Sequence, residues 1–310
     1  MNSSRFAEIE RFAVALARGA GMELYLTPKP GLVDLTDCGS HPDLSLSRME
    51  RSLLLLADYL GELVRSLIAG ESFAHQTAIG MRTEKKMLAT LGTNTHKGFL
   101  FLSGLLLVAR WRCLTPGERH LRARIASLAC EFFGEHQEES TTHGRQARAR
   151  YGAGGIVREA KNGFPSLFDE AVPAYLEAFD RSGCCKTASF AMLGRLMQTV
   201  EDTTTLHRCG TPGLARIRRD GRIIERIITS GGDCIPFLHA INREYVRMHL
   251  TMGGVADMLG LSYGYLAASG VLLEDPVGIN FCDSRRTPCN WRMRQYQLKY
   301  NGPVELNSIY

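Results

Sequence analysis

Side chains of the kinds that bind phosphate and move protons gather in five short stretches, each interrupting an apolar helical pattern. The first holds Glu23, then Thr27-Pro28-Lys29-Pro30-Gly31-Leu32-Val33-Asp34, then Gly39-Ser40-His41-Pro42-Asp43. Its prolines and glycines predict a rigid loop carrying a cation, carboxylates and an imidazole. The second, Gly92-Thr93-Asn94-Thr95-His96-Lys97-Gly98, directly precedes the greasiest run of the chain. Backbone N–H groups at a helix start, with Lys97 and hydroxyls beside them, make a phosphate cradle. It is not a Walker A loop, because the G-x-x-x-x-G-K-[ST] order is missing. The third runs from Thr141-Thr142-His143-Gly144 through Gly152-Ala153-Gly154-Gly155 to Glu159 and Gly163-Phe164-Pro165. Glycines so dense imply tight turns or a close ligand. In the fourth, Glu201-Asp202 followed by Thr203-Thr204-Thr205 suits Mg²⁺, and the planar fork of Arg208 suits a phosphate. The fifth, Gly253-Gly254-Val255-Ala256-Asp257, opens a helix where backbone can approach a ligand, with Asp257 about one turn in.

Each stretch also has a plainer explanation. The first is then a connector, the second a capped helix start with Lys97 in water, and the fourth a helix end followed by a Ser/Thr-type turn. His143 is then structural and Glu159 a surface charge. Together, however, Lys29, Lys97 and Arg208 with Asp34, Asp43, Glu159, Asp202 and Asp257 form an inventory that would hold a polyphosphate through metal and cations. From the residues alone, the chain is an all-α protein that handles phosphate or nucleotide.

The elements that must position these groups are helices. Phe6, Ile9, Phe12, Ala13 and Leu16 mark one amphipathic face. Leu46, Met49, Leu53, Leu56, Leu60, Leu63 and Leu67 mark another, with Ser47 and Glu50 as a candidate capping box and Gly70 as the stop. Thr115-Pro116-Gly117-Glu118 opens a helix reaching about Phe133. Further helices are expected at about 165–181, 186–200, 213–229, 234–250 and 254–270. Alternating β-branched runs and Asn-Gly hairpins are absent, so the expected fold is one multi-helix globular domain over 1–270. Its polar loops should converge on one pocket. Residues 271–310, with Asp275-Pro276, Thr287-Pro288 and five basic residues, lack periodicity and read as an irregular tail.

Composition narrows the classes further. Of 310 residues, 45% are hydrophobic, enough for a sizeable core. A net charge of +5 suits a small anion and is too weak to argue for nucleic acid or an anionic membrane. The nine cysteines are odd in number and form no C-x-x-C pair, which implies free thiols and a reducing cytoplasm. Glu8 and Glu10 argue against a signal peptide, and Gly98 to Ala109 is shorter than the ~18 residues a span needs.

The ordered set of motifs resembles the triphosphoribosyl-dephospho-CoA synthase family. The matching stretches are Pro28-Lys29-Pro30-Gly31-Leu32-Val33-Asp34, Gly39-Ser40-His41-x-Asp43, Asn94-Thr95-His96-Lys97-Gly98 and Thr142-His143-Gly144. Glu159-Ala160-x-x-Gly163-Phe164-Pro165, Asp202-Thr203 with Leu206-His207-Arg208, and Gly253-Gly254-x-Ala256-Asp257 complete it, over about residues 10–268. The chain departs from the family pattern at Val157, Thr204, Cys209 and Thr251-Met252. The resemblance implies transfer of the triphosphoribosyl group of ATP to the 2′-hydroxyl of 3′-dephospho-CoA, with release of adenine. The product serves malonate decarboxylase or citrate lyase, and the Gly-Ser-His form leans towards the former. It further implies phosphate held by Lys29, Lys97 and Arg208, and Mg²⁺ on Asp34, Asp43, Asp202 or Asp257. Glu159 or His143 would be the general base, with Asp202 a further catalytic group. Asn94 and His96 would orient the nucleotide, and Gly253 and Gly254 would meet substrate. Two other readings stay open: an Mg²⁺-dependent N-glycosidic hydrolase that uses water, and a nucleotide-binding homologue without activity.

Overall fold

The computed structural model describes residues 3–93, 95–135 and 142–272. Twelve α-helices occur among them: α1 (Ser3–Tyr25), α2 (Leu46–Ile68), α3 (Phe73–Leu91), α4 (Lys97–Arg112), α5 (Glu118–Glu135), α6 (His143–Tyr151), α7 (Gly155–Lys161), α8 (Val172–Ser182), α9 (Cys185–Thr199), α10 (Thr203–Thr229), α11 (Ile235–Arg247) and α12 (Gly253–Ala268). A π-helical turn, Ser166–Ala171, leads into α8. No strand occurs among the described residues, and the architecture is all-α. Asn94 and most of the expected tail, 273–310, lie outside them.

The molecule is organised by the crossing of α1 and α12, its most extensive helix pair. Gly19 on α1 faces Gly260 and Gly264 on α12, and a Cβ at Gly19 would lie 2.7 Å from the Gly264 Cα and nearer still to backbone N and O. Only hydrogen fits between these backbones. The crossing sets Glu23, one turn after Gly19, beside Asp257, one turn before Gly260. α4 packs on both helices and buries nearly its whole circumference, as its unbroken apolar run requires.

The long periodic stripes form helices where their spacing places them, with three differences. The second helix begins two residues earlier than the Ser47–Glu50 box predicts, because Ser45 is the cap and its side chain accepts from the Arg48 N–H at 3.3 Å. α3, α6 and α7 are helices that no apolar stripe announces: the buried face of α3 includes Gln76 and Thr83, and α6 and α7 each bury a single residue, Ala147 and Ala160. α10 begins ten residues ahead of the expected start: Asp202 caps it, and Gly210, at φ 64° and ψ −163°, kinks it before Pro212. No helix among the described residues is long and apolar enough to cross a membrane, and the described cysteines are free thiols.

Candidate active site

One cavity of about 1590 Å³ collects residues from all five polar stretches. Its walls include the first residues of α4, α7, α10 and α12, and Thr142, the cap of α6, with His143 and Gly144. Five helices therefore begin around one space, and protein carboxylates already take N–H groups at four of the starts: Asp257 at α4, Glu201 at α7, and Asp202 at α10 and α12. Lys97, Arg148, Arg158 and Arg208 add positive side chains. Glu23, Asp43, Glu84, Glu159, Glu170, Glu201 and Asp257 add carboxylates, so the lining is charged in both senses.

The deepest polar group is built on the helix crossing. Lys29, 1% exposed, does not line the cavity; its Nζ donates to Glu23 Oε1 at 2.5 Å from behind the wall. Burial raises the Glu23 pKa, with Lys29 opposing the shift. Asp257 is half-buried and is pushed well above the usual carboxylate range, first by desolvation and then by the charges of Glu23 and Asp202. The Phe99 N–H, in the first turn of α4, binds the Asp257 carboxylate and opposes that shift. Gly98 leaves the necessary room, since a Cβ there would lie 3.0 Å from Asp257 Cγ and closer to its Oδ2.

Asp202 and Asp34 are also buried, and their oxygens serve the backbone. Asp202 Oδ1 accepts from Thr205 N at 2.8 Å and Oδ2 from Val255 N at 2.9 Å, tying the start of α10 to that of α12. Burial raises its pKa against these bonds. Asp34 accepts from Lys29 N, Thr36 N, Thr36 Oγ1 and Asp37 N, which shapes the proline-rich loop. Gly253 and Gly254 lie over Thr204 and Asp202 and face the cavity.

The cations stand nearer the rim. Lys97, half exposed, pairs with Glu84 at 2.5 Å. Arg208 donates to Ser40 O at 2.9 Å and meets His41 Nδ1 at 3.5 Å. His41 in turn pairs Nε2 with Thr251 Oγ1 at 2.7 Å. Burial, with Arg208 beside it, lowers His41 to about 4, so the ring is neutral. Asp43 is exposed at the mouth, 4.0 Å from His41.

Glu159 lines the cavity from α7, where Ser166 N and Ser166 Oγ donate to its two oxygens at 2.8 and 2.9 Å. Burial raises its pKa against those bonds. His143 is exposed and stacks on His207, the ring centroids 4.0 Å apart. His96 is buried at the start of α4 with Nδ1 2.7 Å from Ser52 Oγ. Glu201, which had only its position beside Asp202 to mark it, accepts from Gly154 N, Gly155 N and Arg158. The dense glycines of the third stretch are therefore bound to the fourth. Ser52, at the heart of the α2 stripe, offered no sequence signal at all, and Glu23 offered only its place before the loop.

The sequence model of the ATP:dephospho-CoA triphosphoribosyl transferase family matches residues 9–273. The chain belongs to this family. A curated relative from Acinetobacter calcoaceticus, named "probable 2-(5''-triphosphoribosyl)-3'-dephosphocoenzyme-A synthase", is 31% identical over 271 residues, covering 83% of this chain and 92% of the relative. No solved structure matches the chain. Within this transferase family three departures of the present chain have structural partners. Thr251 binds His41, Thr204 packs on Gly253, and Cys209 Sγ contacts Met248 O at 3.5 Å, while Arg158, next to the departure at Val157, reaches Glu201 at 2.7 Å.

Proposed function

We propose that this transferase moves the triphosphoribosyl group of ATP to the 2′-hydroxyl of 3′-dephospho-CoA inside the cavity described above. The C1′–N9 bond of ATP breaks, a C1′–O bond to the acceptor forms, the hydroxyl proton goes to a base, and adenine leaves with a proton. The gathering of all five polar stretches, with Lys97 and Arg208, around a space roomy enough for two nucleotides carries this reading. Lys97 and Arg208 bind the triphosphate together with the starts of α4 and α12 at Gly98 and at Gly253-Gly254. Lys29 stays behind Glu23 and balances the buried carboxylates. Asp34 and Asp202 hold the loop and the helix starts in place. The product is a prosthetic-group precursor for the acyl carrier protein of malonate decarboxylase or citrate lyase.

Mg²⁺ fits the donor set at Glu23 and Asp257. Their mutual repulsion in a poorly solvated wall is what a cation relieves, and Mg²⁺ typically takes one or two carboxylates plus phosphate oxygens and water. Among the described residues no three His, Cys, Asp or Glu side chains form a ready cage, and Mg²⁺ bound with ATP needs none. When bound, it neutralises charge on the triphosphate.

Glu159 is the general base. It is half-buried, fixed by Ser166 and raised towards the range in which a carboxylate accepts a proton effectively. Glu159→Gln still accepts from Ser166 N and can donate its amide N–H to Ser166 Oγ, and is expected to lower adenine release by about 10²- to 10⁴-fold. The wild-type rate should fall as pH drops through a value above the usual 4.5 of a glutamate. The sign for stability is the opposite. A raised folded pKa contributes stability below the unfolded value and loses it as pH rises through the folded one. The glutamine variant should then be no less stable than wild type above pH 7, by thermal melting. If it turns over normally, the base lies elsewhere, and His143 is next.

Lys97→Ala tests the phosphate assignment cleanly. Its half-exposed pair with Glu84 is worth at most about 1 kcal/mol of stability. Loss of a charged contact to phosphate should raise KM for ATP by about 10- to 100-fold. The deciding experiment is incubation with ATP, Mg²⁺ and dephospho-CoA, with mass spectrometry of the products. Adenine released without dephospho-CoA would mean hydrolysis, and nucleotide binding without adenine would mean an inactive homologue.

A further inference from the structure

His96 carries the one imidazole nitrogen among the described residues that is buried without a hydrogen-bond partner, and the ring lines the cavity. The residue is 4% exposed, at the cap position of α4, yet its side chain caps nothing. Its Nδ1 lies 2.7 Å from Ser52 Oγ, and Ser52 is fully buried on α2. Thr95 Oγ1 donates to the same Ser52 oxygen. Both hydroxyls also lie 3.4 Å from Met87 Sδ.

The protons in this cluster can be placed by counting. Each hydroxyl has one proton, and a thioether is a weak acceptor. If Thr95 donates to Ser52, Ser52 donates to His96 Nδ1 and every proton meets nitrogen or oxygen. Either alternative has His96 donate to Ser52 and leaves one hydroxyl proton, that of Ser52 or that of Thr95, for sulfur. The first order uses the stronger acceptors. The ring is neutral near pH 7, because burial and the neighbouring Lys29 charge lower it to about 4. A neutral ring that accepts at Nδ1 carries its proton at Nε2. The unpartnered nitrogen of this cavity-lining ring is therefore an N–H.

We infer that Ser52 is a positioning residue, holding His96 as a fixed Nε2–H donor for an acceptor atom of the bound ATP. This rests on the reading of the cavity as the ATP site. An N–H with no protein partner in a buried wall costs free energy until a ligand atom meets it. Such a donor is ready before substrate arrives and needs no reorientation in the reaction. The Thr95–Ser52–His96 chain also explains why a serine stands in the middle of the leucine stripe of α2.

The test reads the tautomer directly. In ¹⁵N spectra of histidine-labelled protein at pH 7, wild-type His96 is expected to show a protonated Nε2 and an unprotonated Nδ1. Ser52→Ala should mix the tautomers and lower kcat/KM for ATP by about tenfold, with KM for dephospho-CoA unchanged. Ser52→Thr, which keeps the hydroxyl, should restore both. A merely structural role would reduce the active fraction alike for both substrates and leave the tautomer alone, and that result overturns the inference. So does an Nδ1-protonated ring in the wild type, which needs no variant to fold. If the wild type releases no adenine from ATP, the proposed function fails, while the tautomer measurement still stands or falls by itself.

Discussion

Gly19→Ala is expected to unfold this protein more readily than any other single methyl in a helix of the core. The added carbon would fall 2.7 Å from the Gly264 Cα and closer to Gly264 N and Gly260 O. These are backbone atoms in the middle of α12, so no side chain can turn aside. Overpacking in a rigid core typically costs about 1–3 kcal/mol, and backbone against backbone belongs at or above the upper end. For a chain of this size that is a fall in melting temperature of about 5 °C. Separation of α1 from α12 also parts Glu23 from Asp257, so adenine release should fall even in the fraction that stays folded. Gly80→Ala provides the contrast. Its Cβ would meet only Tyr59, at 3.7 Å, so a gain of up to about 1 kcal/mol from helix propensity is expected. Equal melting temperatures for the two variants would contradict the account of the crossing.

Those glycines illustrate what the sequence disclosed and what it hid. The face of Ile9, Phe12, Ala13 and Leu16 and the leucine stripe of α2 were legible because a 3.6-residue period survives without knowledge of the partner. The five polar stretches were legible because glycine, proline and charge cannot continue a buried helix. Hidden was the part each charge plays. Lys29 looks like a phosphate ligand until its Nζ is found against Glu23. That pairing depends on how α1 ends above the loop, which is a tertiary fact. Ser52 was hidden for the same reason: one hydroxyl inside an apolar stripe carries no periodic signal, and only the packing of α2 against the start of α4 gives it a partner. Gly19, Gly260 and Gly264 lie in three different turns of two helices, and nothing local pairs them.

The second large effect is expected at Asp202, where chemistry and architecture make different forecasts. Its carboxylate, 1% exposed, accepts from Thr205 N of α10 and Val255 N of α12. Alanine leaves two buried N–H groups unpaired, at about 1–3 kcal/mol each, so a loss of about 3–5 kcal/mol is expected in urea unfolding followed by circular dichroism. Asparagine keeps one acceptor and sets an amide N–H against the other backbone N–H, so its loss should fall between alanine and wild type. Without the shared carboxylate, the starts of α10 and α12 are no longer held together. Thr203, Thr204, Gly253 and Gly254 then lose their common orientation towards the cavity. Adenine release should therefore drop further than the folded fraction does, in the order alanine, asparagine, wild type. A group acting directly on substrate would behave otherwise, with both substitutions abolishing turnover while the unfolding curves stay together. That pattern would return Asp202 to the reacting atoms and leave the joined helix starts without their tether.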